Sequence, residues 1–236
     1  MKDATRRVGL NRNRLLSIGF VASTLYGVLP MLVRKLRQSA PELDIQLLEL
    51  LSIQQIPALK EGRIDLGFGR LKHDDPNVES ILLREERLVA ALPPETPLAR
   101  DDAPLPPPAL TGQKLIVYPK EPRPGYADQV MAVLRDEGVS LAEVLEVREI
   151  QTALRLVAAE SGICIIPSSA RQMRSDLRYR VIDSPRAVSP VILSHRAGDR
   201  SRHLDLIKRL IRDMYAENPA RLATNNIRPA GLGGGR

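Results

Sequence analysis

The feature that most constrains this chain is an alternation, met twice, of short apolar runs with helically spaced apolar residues. Leu15–Val21 is long enough for a buried strand. Leu29, Leu32, Val33 and Leu36 then recur at helical spacing, and Pro41 stops that helix. Ile45–Leu50 predicts a second strand. A short helix with Ile56 and Leu59 inward ends at Gly62, a natural C-cap. Ile64–Phe68 predicts a third strand, and residues 80–92 read as extended. Prolines then crowd between Pro93 and Pro108, the composition of a loop and a plausible boundary.

The second set follows at once. Lys114–Tyr118 predicts a strand and Tyr126–Glu137 a helix closed by Gly138. Val144–Val147 is a strand, Thr152–Ala159 a helix and Ile163–Ile166 a buried strand. Val191–Ser194 adds a strand, and Ser201–Tyr215 a helix with Leu204, Ile207, Leu210 and Ile211 inward. After Glu217 the chain turns polar and ends RPAGLGGGR, which predicts a disordered tail over 218–236. Strands separated by helices need crossover connections, so the fold class is α/β with largely parallel strands. Two such sets make two subdomains, and the cleft between them is where small-molecule sites favour.

Charge and composition exclude several functions. The 236 residues hold 35 Lys plus Arg against 28 acids, a net charge of +7. The excess lies at the ends: residues 1–14 carry +4 and residues 196–236 carry +5, leaving 15–195 at −2. Such a body is a poor grip for nucleic acid. Trp is absent and aromatics are 3%, which removes a stacking surface for single strands. A lone cysteine, Cys164, excludes an internal disulfide and a CxxC site; set in an apolar run, it reads as an inert core thiol. His73, His195 and His203 form no HxxxH pair, so no metal site is expected. Neither GxSxG, GxxxxGK[ST] nor a GxGxxG after a strand occurs, so no catalytic residues and no cofactor are assigned. Gly67-Phe68-Gly69-Arg70 is the nearest phosphate-loop mimic, and close backbone packing explains its glycines equally well. Glu85 and Glu86 are adjacent, so in a strand they point to opposite faces and make a poor acid/base dyad.

Leu15 to Val33 runs 19 residues without a charge, after Arg12 and Arg14. That resembles a signal peptide or a membrane span superficially. Gly19, Gly27, Pro30 and several hydroxyls interrupt it, and no small-residue cleavage site follows. A buried strand, a tight loop and a helix start fit better, and the expectation is a cytoplasmic chain with no membrane contact.

The loops at strand ends are more informative. Ala22-Ser23-Thr24 lies between a strand and a helix, where unpaired N–H groups and a positive dipole end favour an anion, particularly a carboxylate. Ser52 precedes the next helix in the same manner. Each fits a plain N-cap equally well; the pair at the ends of adjacent parallel strands strengthens the ligand reading. Tyr118-Pro119 and Pro122-Arg123-Pro124-Gly125-Tyr126 could close the cleft from the other side. Arg84 and Glu86 alternate onto one face of a strand and can pair. The arginines Arg70 and Arg84 are otherwise solvated, or they help hold a second acidic ligand or a nearby carboxylate such as Glu86.

Four segments look familiar together: IGFVASTLYGVLP (Ile18–Pro30), ALKEGRIDLGFGRLK (Ala58–Lys72), LLREERLVAALP (Leu82–Pro93) and LVAAESGICIIPSS (Leu156–Ser169). They resemble the effector-binding domain of LysR-type transcriptional regulators over roughly residues 14–217. With GFGR and RPGY, the combination resembles the subgroup controlling aromatic catabolism, whose members sense cis,cis-muconate, chloromuconates or benzoate. The resemblance implies two Rossmann-like subdomains joined by crossing strands, similar to periplasmic binding proteins. The first would span 14–87 plus 190–217 and the second 88–189, with a residual linker at 1–13. It places the effector pocket at Val21, Ala22, Ser23, Thr24, Ser52, Phe68, Pro124, Gly125, Tyr126 and Val157, with Arg70 nearby to attract an acidic ligand. Tyr126 stands where some relatives have Phe, adding a hydroxyl.

The family's winged helix-turn-helix is not in this sequence, which implies a truncated regulator whose DNA contacts belong to that missing domain. The resemblance further implies a small dicarboxylate or aromatic acid as effector. It also implies a homodimer of this chain through helices Gly27–Gln38 and Tyr126–Glu137, and a tetramer at full length. A solute-binding protein or an enzyme on the same two-domain fold is the alternative.

Overall fold

A computed structural model describes residues 14–72 and 74–217. The expected linker at 1–13, the tail at 218–236 and His73 lie outside the described residues. Three strands open the fold: β1 (Arg14–Phe20), β2 (Leu43–Glu49) and β3 (Leu66–Gly69). They pair in parallel, with Ile18 opposite both Leu47 and Leu66. The crossovers are α1 (Leu29–Ser39) and α2 (Ser52–Lys60). Pro30 starts α1 rather than breaking it, since a first-turn N–H has no partner to lose. Gly62 follows α2 at φ +70°, the left-handed cap its position predicts.

The chain then enters β4 (Val78–Leu92), a 15-residue strand that runs through both halves of the molecule. Beyond it come β5 (Lys114–Val117), α3 (Tyr126–Asp136), β6 (Glu143–Glu146), α4 (Ile150–Ala158), β7 (Ile163–Pro167), β8 (Arg178–Val181), β9 (Val188–Arg196) and α5 (Arg202–Glu217). β5 pairs in parallel with β6 and β7, a second copy of the β1–β2–β3 arrangement. β4 pairs antiparallel with β9 over residues 78–87, then with β7 and β8 over 88–92. The overall order is β2-β1-β3-β9-β4-β7-β5-β6, with β8 on β4.

Each half buries its own core. One contains Leu16, Ile18, Leu29, Leu32, Phe68, Leu193, Ile207 and Ile211; the other contains Leu88, Val89, Leu115, Val130, Leu154, Val157 and Ile165. The proline-rich segment does not separate them. Leu105 and Leu110 belong to the second core, and Arg180 of β8 ties the segment down through Ala103 O (2.7 Å) and Leu98 O (2.9 Å). Leu29, Leu32, Val33 and Leu36 are all buried in the chain's own core, where α5 packs beside α1.

Candidate functional site

A cavity of about 250 Å³ opens between the two halves, at the C-terminal ends of the parallel strands of both. That is where α/β sheets place their ligands, because helix N-termini gather there. Three do so here. α2 contributes Leu51, Ser52 and Ile53; α3 contributes Gly125 and Tyr126; α4 contributes Glu149, Ile150 and Gln151. The first turn of each helix leaves N–H groups without an intrahelical acceptor and a positive dipole end. The segment after β1 contributes as well, but as a 3-10 turn, Ala22–Tyr26, and not as the start of an α-helix.

Of the residues expected here, Val21, Ala22, Ser23, Ser52, Arg70, Pro124, Gly125 and Tyr126 line the cavity. Thr24, Phe68 and Val157 are not among the lining residues. Thr24 turns inward, where its Oγ1 donates to Val21 O at 2.7 Å. Phe68 and Val157 are fully buried, one in each core. The Tyr126 hydroxyl donates to Ile165 O at 3.3 Å, so it is held against β7. Tyr118, Pro119 and Pro122 close the cavity from the second lobe, as the sequence suggested, while Leu25, Tyr26, Glu49, Leu51, Ile53, Leu71 and Arg148 to Gln151 line it without having been expected. The residues at the start of α4 could have been found by asking which loop follows β6 in the parallel set.

Arg70 is the centre of the polar network. It is 3% exposed, just past the end of β3. Its backbone N–H donates to Ser52 Oγ at 3.0 Å and its Nε to Ser23 Oγ at 2.7 Å. Its Nη2 donates to Glu86 Oε2 at 2.8 Å, and Ser169 Oγ donates to the same oxygen at 3.0 Å. Glu86 is fully buried on β4 and pairs with Arg84 as well, through Oε1. The solvated alternative for these arginines is thereby excluded. The nearby carboxylate that the sequence offers as a partner for Arg84 is Glu86. Two guanidiniums thus share one buried carboxylate. Burial lowers the Arg70 pKa to about 10, which leaves it cationic at neutral pH.

The serines matter because of what they accept. Ser23 Oγ and Ser52 Oγ each take a hydrogen bond from Arg70. A hydroxyl also has one proton to give. Both groups therefore present a donor held in place by Arg70, Ser23 by its guanidinium and Ser52 by its backbone N–H. Gly67 and Gly69 allow this closeness. A Cβ on Gly67 would lie 2.5 Å from Gln55 Oε1, and one on Gly69 would lie 3.0 Å from Ser52 Oγ. The glycine pair thus serves the packing of β3 on α2, not a phosphate loop. Burial raises the pKa of Cys164. Among the described residues no cluster of His, Cys, Asp or Glu could hold a metal ion, and no helix is long and apolar enough to cross a membrane.

Two α/β lobes around an anion-seeking cleft, linked by a strand common to both, define a ligand-binding domain of the periplasmic-binding-protein type. The chain belongs to the LysR substrate binding domain family, whose model matches residues 11–216. It is 66% identical over 226 residues to the probable cat1 operon transcriptional activator of Acinetobacter lwoffii, covering 96% of this chain and 75% of that protein. It is 46% identical over 202 residues to the HTH-type transcriptional regulator CatR of Pseudomonas putida, covering 85% and 69%. Among solved structures, the BenM effector binding domain with its effector benzoate matches with a TM-score of 0.83 at 36% identity, covering 92% of this chain and 99% of that one.

Proposed function

We propose that this domain senses a small organic anion, and that its preferred effector is a dicarboxylate such as cis,cis-muconate, for a transcriptional activator of aromatic-compound degradation genes. One observation carries the reading. Ser23 and Ser52 both accept from Arg70 and keep their protons for a guest, beside the buried Arg70 guanidinium. Such a site suits a carboxylate, and each hydrogen bond to a charged group contributes about 1.5–3 kcal/mol. At about 250 Å³ the cavity lies below the roughly 300–1,000 Å³ of drug-sized pockets, which favours a small ligand. The similarity to BenM, solved with benzoate, and to an operon activator supports the same reading.

Sensing follows from the geometry. A ligand shifts a conformational equilibrium only if it binds one state more tightly. Ser23 and Ser52 lie on one side of the cleft and Tyr126 on the other, so a bound dianion favours the closed angle. The domain acts without turnover, in the cytoplasm, as a homodimer of this chain and a tetramer at full length. DNA is contacted by the family's winged helix-turn-helix and not by this domain. Calorimetric titration with cis,cis-muconate, with the ligand re-assayed afterwards, tests the proposal. Saturable binding with the ligand recovered intact supports it; no binding, or consumption of the ligand, contradicts it.

A further inference from the structure

The described residues contain a polar group that the folded chain leaves unsatisfied at this site. Tyr118 follows β5 at the C-terminal end of the second lobe's parallel strands and lines the cavity. It is 8% exposed, and its Oη makes no hydrogen bond. Its neighbour Tyr126 lies with ring centroids 5.2 Å apart and gives its own hydroxyl to Ile165 O. The two phenols are therefore in different states: Tyr126 is anchored to the backbone, and Tyr118 has only the Tyr126 hydroxyl as a weak neighbour.

An unsatisfied buried hydroxyl is unfavourable, and a native chain that keeps one has a use for it. A Phe would fill the same volume without that cost. Burial raises the Tyr118 pKa well above its ordinary value, so the group remains a hydrogen-bond donor at every physiological pH. Across the cleft stands Arg70, close enough for its charge to act on both phenols. The first lobe supplies three donors to an anion, Ser23, Ser52 and Arg70. From the second lobe Arg148 and Gln151 also line the cavity but are exposed, and the Tyr126 hydroxyl is bonded to Ile165 O, which leaves Tyr118 as the buried side-chain donor on that side.

We propose that Tyr118 is a specificity-determining residue, whose phenol turns to donate to the second carboxylate of a dianionic ligand. Its hydroxyl would then distinguish dicarboxylates from monocarboxylates, because a monocarboxylate held by the first lobe leaves Tyr118 as it finds it. The inference rests on the effector reading above and adds the ligand class that the second lobe selects.

Tyr118→Phe tests it, with cis,cis-muconate and benzoate as probes in parallel calorimetric titrations of the whole chain. The expected result is a loss of roughly tenfold or more in muconate affinity, with benzoate affinity unchanged within about twofold. Thermal unfolding of the unliganded variant is expected at the same temperature or higher, since an unsatisfied group has been removed. A purely structural role would instead lower the unfolding temperature and weaken both ligands together. Unchanged muconate affinity, or equal losses for the two ligands, overturns the role of Tyr118 while leaving the effector site standing. Failure of the unsubstituted chain to bind either ligand overturns the effector reading itself, and this inference with it.

Discussion

Arg70 and Glu86 meet 2.8 Å apart, the guanidinium 3% exposed and the carboxylate fully buried. The contact joins the end of β3 to β4, the strand shared by both lobes. Ser169, in the turn after β7, donates to the same carboxylate. One buried acid thus connects the cavity floor to both halves of the molecule. A buried pair contributes little net stability as a pair, yet breaking one side of it is costly. Glu86→Gln removes the carboxylate charge with which both Arg70 and Arg84 pair. The expected loss is about 3–5 kcal/mol in urea unfolding. A loss below about 1 kcal/mol would show that the cluster is screened as a surface pair is.

Gly67 sits against Gln55, whose Nε2 donates to Leu50 O (3.0 Å) and Phe68 O (3.1 Å). Gly67→Ala would place a methyl 2.5 Å from Gln55 Oε1 and displace that bridge. The expected cost is about 1–3 kcal/mol in chemical unfolding, as for other overpacked sites. Pairing it with Gln55→Ala relieves the clash, so the double variant loses less than the sum of the single losses. Strict additivity would place the cause elsewhere.

Ligand binding has an alkaline limit. Arg70 is a cation whose pKa burial lowers to about 10. Affinity for an anionic effector is therefore expected to be flat between roughly pH 7 and 9 and to fall as pH rises through about 10. The group's effect on folding has the opposite sign. The unfolded chain holds this proton to higher pH, so above about 10 the folded chain binds fewer protons. Over that range this arginine's contribution to stability rises with pH. Titrations at increasing pH, with near-ultraviolet circular dichroism confirming the fold, separate the two effects. Affinity undiminished above pH 10 would remove Arg70 from the site.

The two α/β sets were legible because their apolar periods are clean. The strands around Ile18, Ile116 and Ile165 and the helices on Leu32, Val130 and Ile207 lie where spacing predicts. β8 was not legible: Arg-Tyr-Arg-Val offers one buried residue, Arg180, and its place is set by pairing with β4. The start of α4 was read two residues late because Ile150 looks like the end of a loop. Within the site, Ser23, Ser52 and the Pro124–Tyr126 wall were accessible from their positions before helices. The burial of Arg70, Arg84 and Glu86 was not, since charged residues normally stay in water and only tertiary pairing brings them inside. The inward turn of Thr24 is likewise invisible in a sequence where it differs from Ser23 by one methyl group.

The serine pair carries the account, and cis,cis-muconate titrated into the chain and into its Ser23→Ala/Ser52→Ala variant tests it most directly. Each hydroxyl is expected to contribute about 1.5–3 kcal/mol to holding a carboxylate. Saturable binding at one site per chain is expected, weakened roughly a hundredfold or more in the double variant, with the unfolding transition of the unliganded protein still cooperative. Equal affinity in the two proteins would contradict the assignment of this cleft as the effector site.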